Sequence, residues 1–163
     1  MIEQGEHLTD KHMQMAQYLA KKQFPLAGGL QSTLLQQKGV KGQCTANTVQ
    51  IVHCEKRRHS IVASTIFSKK GCVNIYDTLF ARLDAETQTT IKRMFALKSV
   101  EGLNMVDIQC QKGTSDCSVF AIAVITSLLF GEDPGKVTYK QEKLREHLIE
   151  CFTVGELSLF PKE

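Results

Sequence analysis

The chain predicts an α+β fold, with helices packed on a mostly antiparallel sheet, and three observations point there. An amphipathic helical pattern follows Thr9-Asp10. Three runs rich in Val and Ile then succeed one another: Thr48 to His53, Ser60 to Phe67 and Cys72 to Thr78. Beyond them the apolar residues return to helical spacing. Strands grouped together and flanked by helices make a sheet covered by helices.

Each element has its own signal. Thr9 or Asp10 can cap the first helix, whose apolar face runs through Met13, Ala16, Tyr18, Leu19 and Ala20 to Phe24-Pro25. Gly28-Gly29 breaks the chain after it. Lys69-Lys70-Gly71 is a turn between the second and third strands. Asp84 can cap a helix to about Leu97 that turns Ile91, Met94 and Phe95 inward. Met105 to Cys110 reads as a fourth strand. Val119 to Phe130 is the longest apolar run; it falls short of the roughly 20 residues a membrane span needs and reads as a buried helix. Thr138 and Gln141 form a capping box for a last helix that buries Leu144, Leu148, Cys151 and Phe152. The apolar segment from Leu157 to Pro161 then docks on the body.

A length of 163 residues suits one domain spanning 1–163. A net charge of +3 argues for neither nucleic acid nor a membrane surface as partner. The six cysteines show no C-x-x-C pair and no zinc-type spacing, so no metal or cofactor is expected. Glu3, Glu6 and Asp10 interrupt the N-terminus where a secretory signal would be apolar. Reduced thiols in a cytoplasmic or nuclear protein are the expectation.

One cysteine stands apart. In Gly113-Thr114-Ser115-Asp116-Cys117-Ser118-Val119-Phe120, a small polar turn delivers Cys117 to the start of the apolar helix. Backbone N–H groups there favour thiolate over thiol. A thiolate nucleophile needs a base, a group that orients the base, and donors for an oxyanion. His59 begins the second strand and Asp77 ends the third. A hairpin through residues 69–71 brings both to one sheet edge. Gln111, six residues before Cys117, can fold its carboxamide back through Gly113 toward the thiol. His53 is the rival base but has no carboxylate at a spacing that would orient it. His7, His12 and His147 read as exposed and structural, Lys56-Arg57-Arg58 as a solvated basic turn, and Asp116 as a helix cap. Asp107 reads as a surface residue on the fourth strand. Cys110 reads as an inert strand residue.

The order His59, Asp77, Gln111, Cys117 resembles the ubiquitin-like-protein protease family, the SUMO-type and adenoviral cysteine proteases. Gln-x-Gly-Thr-Ser-Asp-Cys-x-Val-Phe is similar to its active-site signature. Ile75-Tyr76-Asp77-Thr78-Leu79 is similar to its YDSL strand, and Leu8-Thr9-Asp10 to its N-terminal motif. Phe130 to Pro134 and Gly155 to Pro161 resemble a compact branch of transposon ancestry. The resemblance implies a papain-like, adenain-like α+β fold with a central catalytic helix. It also implies thiol hydrolysis of a peptide or isopeptide bond after the C-terminus of a ubiquitin-like protein, its partner as substrate. Cys117 would attack, His59 would transfer protons, Asp77 would hold the imidazole and Gln111 would stabilise the oxyanion.

Two positions depart from that pattern. Ser60 stands where the family has Trp after its histidine, and Ser118 where it has Gly after its cysteine. The aromatic normally roofs the channel for a di-glycine tail. The sequence therefore leaves two readings: an active thiol isopeptidase, or a weakened pseudoprotease that binds a ubiquitin-like protein without cutting it. A third, a DNA-associated remnant, has no nucleic-acid motif behind it.

Overall fold

A computed structural model describes residues 6–32 and 47–163; Cys44 lies outside them. Five strands form one sheet in chain order: β1 (Gly28–Gly29), β2 (Thr48–Cys54), β3 (His59–Ser64), β4 (Val73–Tyr76) and β5 (Leu103–Met105). The three longer strands pair antiparallel, while the short edge strands β1 and β5 add on parallel, so the sheet is mixed. Four helices accompany it: α1 (Asp10–Gln23), α2 (Ala85–Met94), α3 (Cys117–Leu129) and α4 (Leu144–Val154).

The sheet is buried on both faces. Val49, Ile51, Val62 and Tyr76 face α1, α3 and α4, whose Ala16, Leu19, Ile122, Ile125, Leu144 and Leu148 complete the larger core. Val52, Ile61, Ala63, Val73 and Ile75 face the other way, onto Ile91, Met94 and Phe95 around α2. This is why the strand sequences read as near-continuous apolar runs rather than a clean alternation. Within α3 every residue from Cys117 to Leu128 is buried.

Several elements differ from the sequence reading. Gly28-Gly29 does not simply break the chain: it forms β1 on Thr48 and Val49. Gly29 has φ +77°, and a Cβ there would stand 2.2 Å from the Val49 carbonyl oxygen, so only glycine permits the approach. The fourth predicted strand shrinks to Leu103–Met105; Asp107 and Cys110 are exposed and follow it. The 69–71 turn is present, closed by the Cys72 N–H on the Lys69 carbonyl at 2.9 Å, but it sits within a longer link from Ser64 to Val73. Thr9 caps α1 through a capping box with His12, and of the predicted apolar face Met13, Ala16, Leu19 and Ala20 are buried while Tyr18, off that stripe, is exposed. Asp84 occupies the α2 cap position without a side-chain capping bond.

The last helix lacks its expected capping box. Residues Gln141–Lys143 form a 3-10 turn, and α4 begins at Leu144 with Lys143 before it. Gln141 is diverted to tertiary partners described below. Leu144, Leu148 and Cys151 are buried, and Phe152 packs against the core partly exposed. Leu157 and Phe160 are buried, so the C-terminal segment docks on the body. No helix among the described residues is long and apolar enough to cross a membrane.

Candidate active site

Pairing between β3 and β4 sets Val62 opposite Tyr76, which carries the start of β3 and the end of β4 to one sheet edge. His59 and Asp77 meet there, with His59 Nε2 at 2.6 Å from Asp77 Oδ1, both side chains fully buried. The same carboxylate oxygen accepts the backbone N–H groups of Leu79 (2.9 Å) and Phe80 (3.0 Å), which fixes the Asp77 side chain in its turn. With Nε2 engaged on Asp77, Nδ1 is the ring nitrogen left over; it is buried and makes no hydrogen bond of ordinary geometry.

Cys117 lies at the first turn of α3, 2% exposed. Burial alone would push its thiol up, but the His59 imidazole and then a backbone group of Ser60 bring it below the ordinary thiol value. Burial alone would likewise push His59 down; the hydrogen bond to Asp77 and then the nearby Cys117 sulfur override this and lift the ring to about 9. The imidazole and the thiol thus lower each other's cost of charging across the β3 and α3 starts. Cys54 is a control within the same chain. It is equally buried, and burial leads the causes that push it up to about 11. The opposite directions at Cys54 and Cys117 follow from which thiol has the imidazole.

Gln111 is buried and folds onto its own turn. Its backbone N–H donates to the Thr78 carbonyl at 2.9 Å, and its Oε1 accepts the Thr78 hydroxyl at 2.5 Å. Nε2 donates one hydrogen to the Gly113 carbonyl at 3.2 Å and has a second to offer. The four residues picked from sequence thus fall on three adjoining segments: the β3 start, the β4 end with the segment 109–113 that follows β5 and bonds back to Thr78, and the α3 start.

Two residues of this neighbourhood have no signal in the sequence. Phe80 sets its ring edge-on to His59 with centroids 5.5 Å apart. Arg57 lies over the Phe80 ring, 4.1 Å from its centroid, and donates to the Arg82 carbonyl at 2.7 Å. Arg57 is therefore anchored by a cation–π contact and is not a purely solvated member of the basic turn. Lys56 is, as expected, exposed.

Asp116 also differs from expectation. It holds the cap position of α3, yet its side chain makes no capping bond and pairs with Arg145 instead. Ser60 and Ser118 come together, their hydroxyl oxygens 3.5 Å apart and both buried. They line a cleft of about 270 Å³ with His7, Leu8, Asp10, Met13, His53 and Arg58. A larger open groove of about 760 Å³ beside α2 is lined by Glu55, Lys56, Glu86 and Arg93 and holds no nucleophile. No cluster of metal-ligating side chains occurs among the described residues.

No family model matches this sequence, and no curated protein matches it. Solved structures do. The C-terminal Ulp1 protease domain in complex with Smt3, the yeast ortholog of SUMO, superposes with a TM-score of 0.66 at 13% identity, over 91% of this chain and 77% of that one. The SUMO protease Ulp1 with its catalytic cysteine oxidised to a sulfonic acid gives 0.62 at 14%, over 93% and 79%. The Xanthomonas campestris effector XopD bound to ubiquitin gives 0.62 at 12%, over 91% and 93%. Identities this low speak to architecture: the chain has the α+β protease fold that Ulp1 and XopD share.

Proposed function

We propose that the chain is a cysteine peptidase or isopeptidase that hydrolyses the bond after the C-terminus of a ubiquitin-like protein of the SUMO or ubiquitin class. The observation that carries this is the buried His59–Asp77 hydrogen bond of 2.6 Å set against a thiol that His59 draws toward thiolate. The substrate class is supported by the solved neighbours in complex with Smt3 and ubiquitin. The sequences Phe130 to Pro134 and Gly155 to Pro161 are what resemble a compact, transposon-derived branch.

In this reading Cys117 thiolate adds to the scissile carbonyl carbon. The oxyanion is met by the Cys117 backbone N–H, free of intrahelical bonding at a helix start, and by the second Gln111 amide hydrogen. Imidazolium Nδ1–H gives its proton to the departing amine, and the C–N bond breaks to leave a thioester on Cys117. Nδ1 then takes a proton from water, whose oxygen displaces the thiolate and releases the carboxylic acid. Asp77, bonded to Nε2, holds the ring so that Nδ1 faces the sulfur throughout.

The test is a panel of ubiquitin and SUMO-type proteins bearing a C-terminal electrophile. At least one should label Cys117; Cys117→Ala should abolish labelling, and His59→Ala should slow it by roughly 10²–10⁴-fold, the span general-base catalysis supplies. No labelling by any member sinks the protease reading. The pseudoprotease reading draws on the 2% exposure of Cys117 and the close Ser60–Ser118 contact beside it. Its signature is panel binding without labelling, unchanged in Cys117→Ala.

A further inference from the structure

Arg145 is an arginine on the inner side of α4, 2% exposed. Its Nε donates to Asp116 Oδ1 at 2.8 Å. Its Nη2 donates to the Ser115 carbonyl at 3.0 Å and also to the Glu6 carbonyl. One turn earlier, Gln141 Nε2 donates to the other carboxylate oxygen, Asp116 Oδ2, at 2.7 Å and to the Lys112 carbonyl at 2.8 Å. Gln141 Oε1 accepts the Lys112 N–H at 2.8 Å. Both carboxylate oxygens of Asp116, and the backbone at residues 112 and 115, are thus held from one segment.

The charge arithmetic at this turn is unusual. Asp116 directly precedes Cys117, and an uncompensated carboxylate there opposes a thiolate. A buried guanidinium is itself costly unless paired and hydrogen-bonded. The planar guanidinium meets both needs, with one N–H on the carboxylate and others on carbonyls, a division an ammonium does not reproduce. We infer that Arg145 is a positioning residue for the nucleophile: it neutralises Asp116 and fixes the turn that presents Cys117 at the start of α3. This rests on Cys117 being the nucleophile of the proposed reaction.

Other charged or titratable groups surround the same turn. His59, backed by Asp77, faces it from the sheet. His7 and Asp10 from the N-terminal segment, with His53 and Arg58 from the β2–β3 hairpin, line the cleft that Ser118 closes. His12 on α1 feels the Arg145 charge. All of these stay in place when only Arg145 and Asp116 are varied.

The experiment is alkylation of the full chain by iodoacetamide over the neutral and alkaline range, with the Cys117 peptide quantified by mass spectrometry so that other thiols do not contribute. Arg145→Met should move the midpoint of the Cys117 profile to higher pH and slow alkylation at neutral pH by about tenfold, the factor carried by one unit of thiol pKa. Asp116→Asn in that background should return the midpoint toward the wild-type position, which no loss of packing alone would do. Asp116→Asn by itself leaves Arg145 unopposed and should move the midpoint lower; it decides the matter if Arg145→Met fails to fold. An unmoved midpoint in Asp116→Asn overturns the inference, as does a folded double variant that stays shifted. No ubiquitin-like protein enters the assay. A failed probe panel therefore removes the protease reading without touching this result, and an unmoved midpoint removes the Arg145 role alone.

Discussion

Cys54 and Cys117 are chemically the same side chain under the same degree of burial, and one imidazole separates their behaviour. A pH prediction follows at this scale. His59, lifted to about 9 from an ordinary 6.5, keeps its proton across the neutral range. A group raised on folding stabilises the fold fully below its unfolded value, so this contribution is whole below about 6.5 and is lost as pH rises through about 9. Cys117 alkylation should proceed at pH values where an ordinary thiol is protonated, and kcat/KM should fall on the alkaline side near 9 as His59 loses its proton. His59→Ala should return Cys117 to ordinary or higher thiol titration. Superimposable alkylation profiles for wild type and His59→Ala would refute the ion pair. His59 and Asp77 were legible in the sequence because antiparallel pairing puts a strand start beside a strand end. Phe80 and Arg57 were not, because ring contacts between a hairpin turn and a loop leave no periodic trace.

At the scale of elements, the start of α3 meets the start of β3 through two hydroxyls, Ser118 and Ser60. Small side chains on both elements leave the cleft beside Cys117 open, where a large aromatic and a glycine would form a narrow slot. Ser60→Trp with Ser118→Gly should raise the labelling rate by a di-glycine-ended probe roughly three- to tenfold, since aromatic packing contributes about 0.5–1.5 kcal/mol beyond area burial. Glycine inside the first turn should lower stability by up to about 1 kcal/mol. Labelling kinetics and urea unfolding measure the two effects, and a flat labelling rate would mean the cleft does not receive the tail. Elements with long apolar runs or a clear cap, such as α1, β2 and α3, were legible. β1 and β5 were not, because two or three residues carry no period. The Thr138–Gln141 capping pattern misled because Gln141 bonds Lys112 and Asp116, partners distant in sequence, instead of its own helix.

For the whole molecule, the sheet separates two cores, and the C-terminal segment seals the larger one. Phe160 is 1% exposed, so Phe160→Ala should destabilise by about 3–5 kcal/mol, the usual cost of emptying a buried aromatic site. A drop in the urea midpoint at constant m-value is the expected readout; a loss below about 1 kcal/mol would mean the segment is only laid on the surface. The α+β class and the docking of this segment were legible from apolar spacing. The division into two cores was not, because a strand apolar on both faces does not announce which helices cover which face. The mixed sheet has one further consequence. A row of unpaired backbone amides on an outer strand is a template for another chain. On one flank that row, along the long apolar β2, is blunted over Thr48 and Val49 by two glycines. The tight seat of Gly29 on the Val49 carbonyl thus withholds that stretch of β2 from another chain, and a methyl group at residue 29, 2.2 Å from the carbonyl oxygen, would contest it.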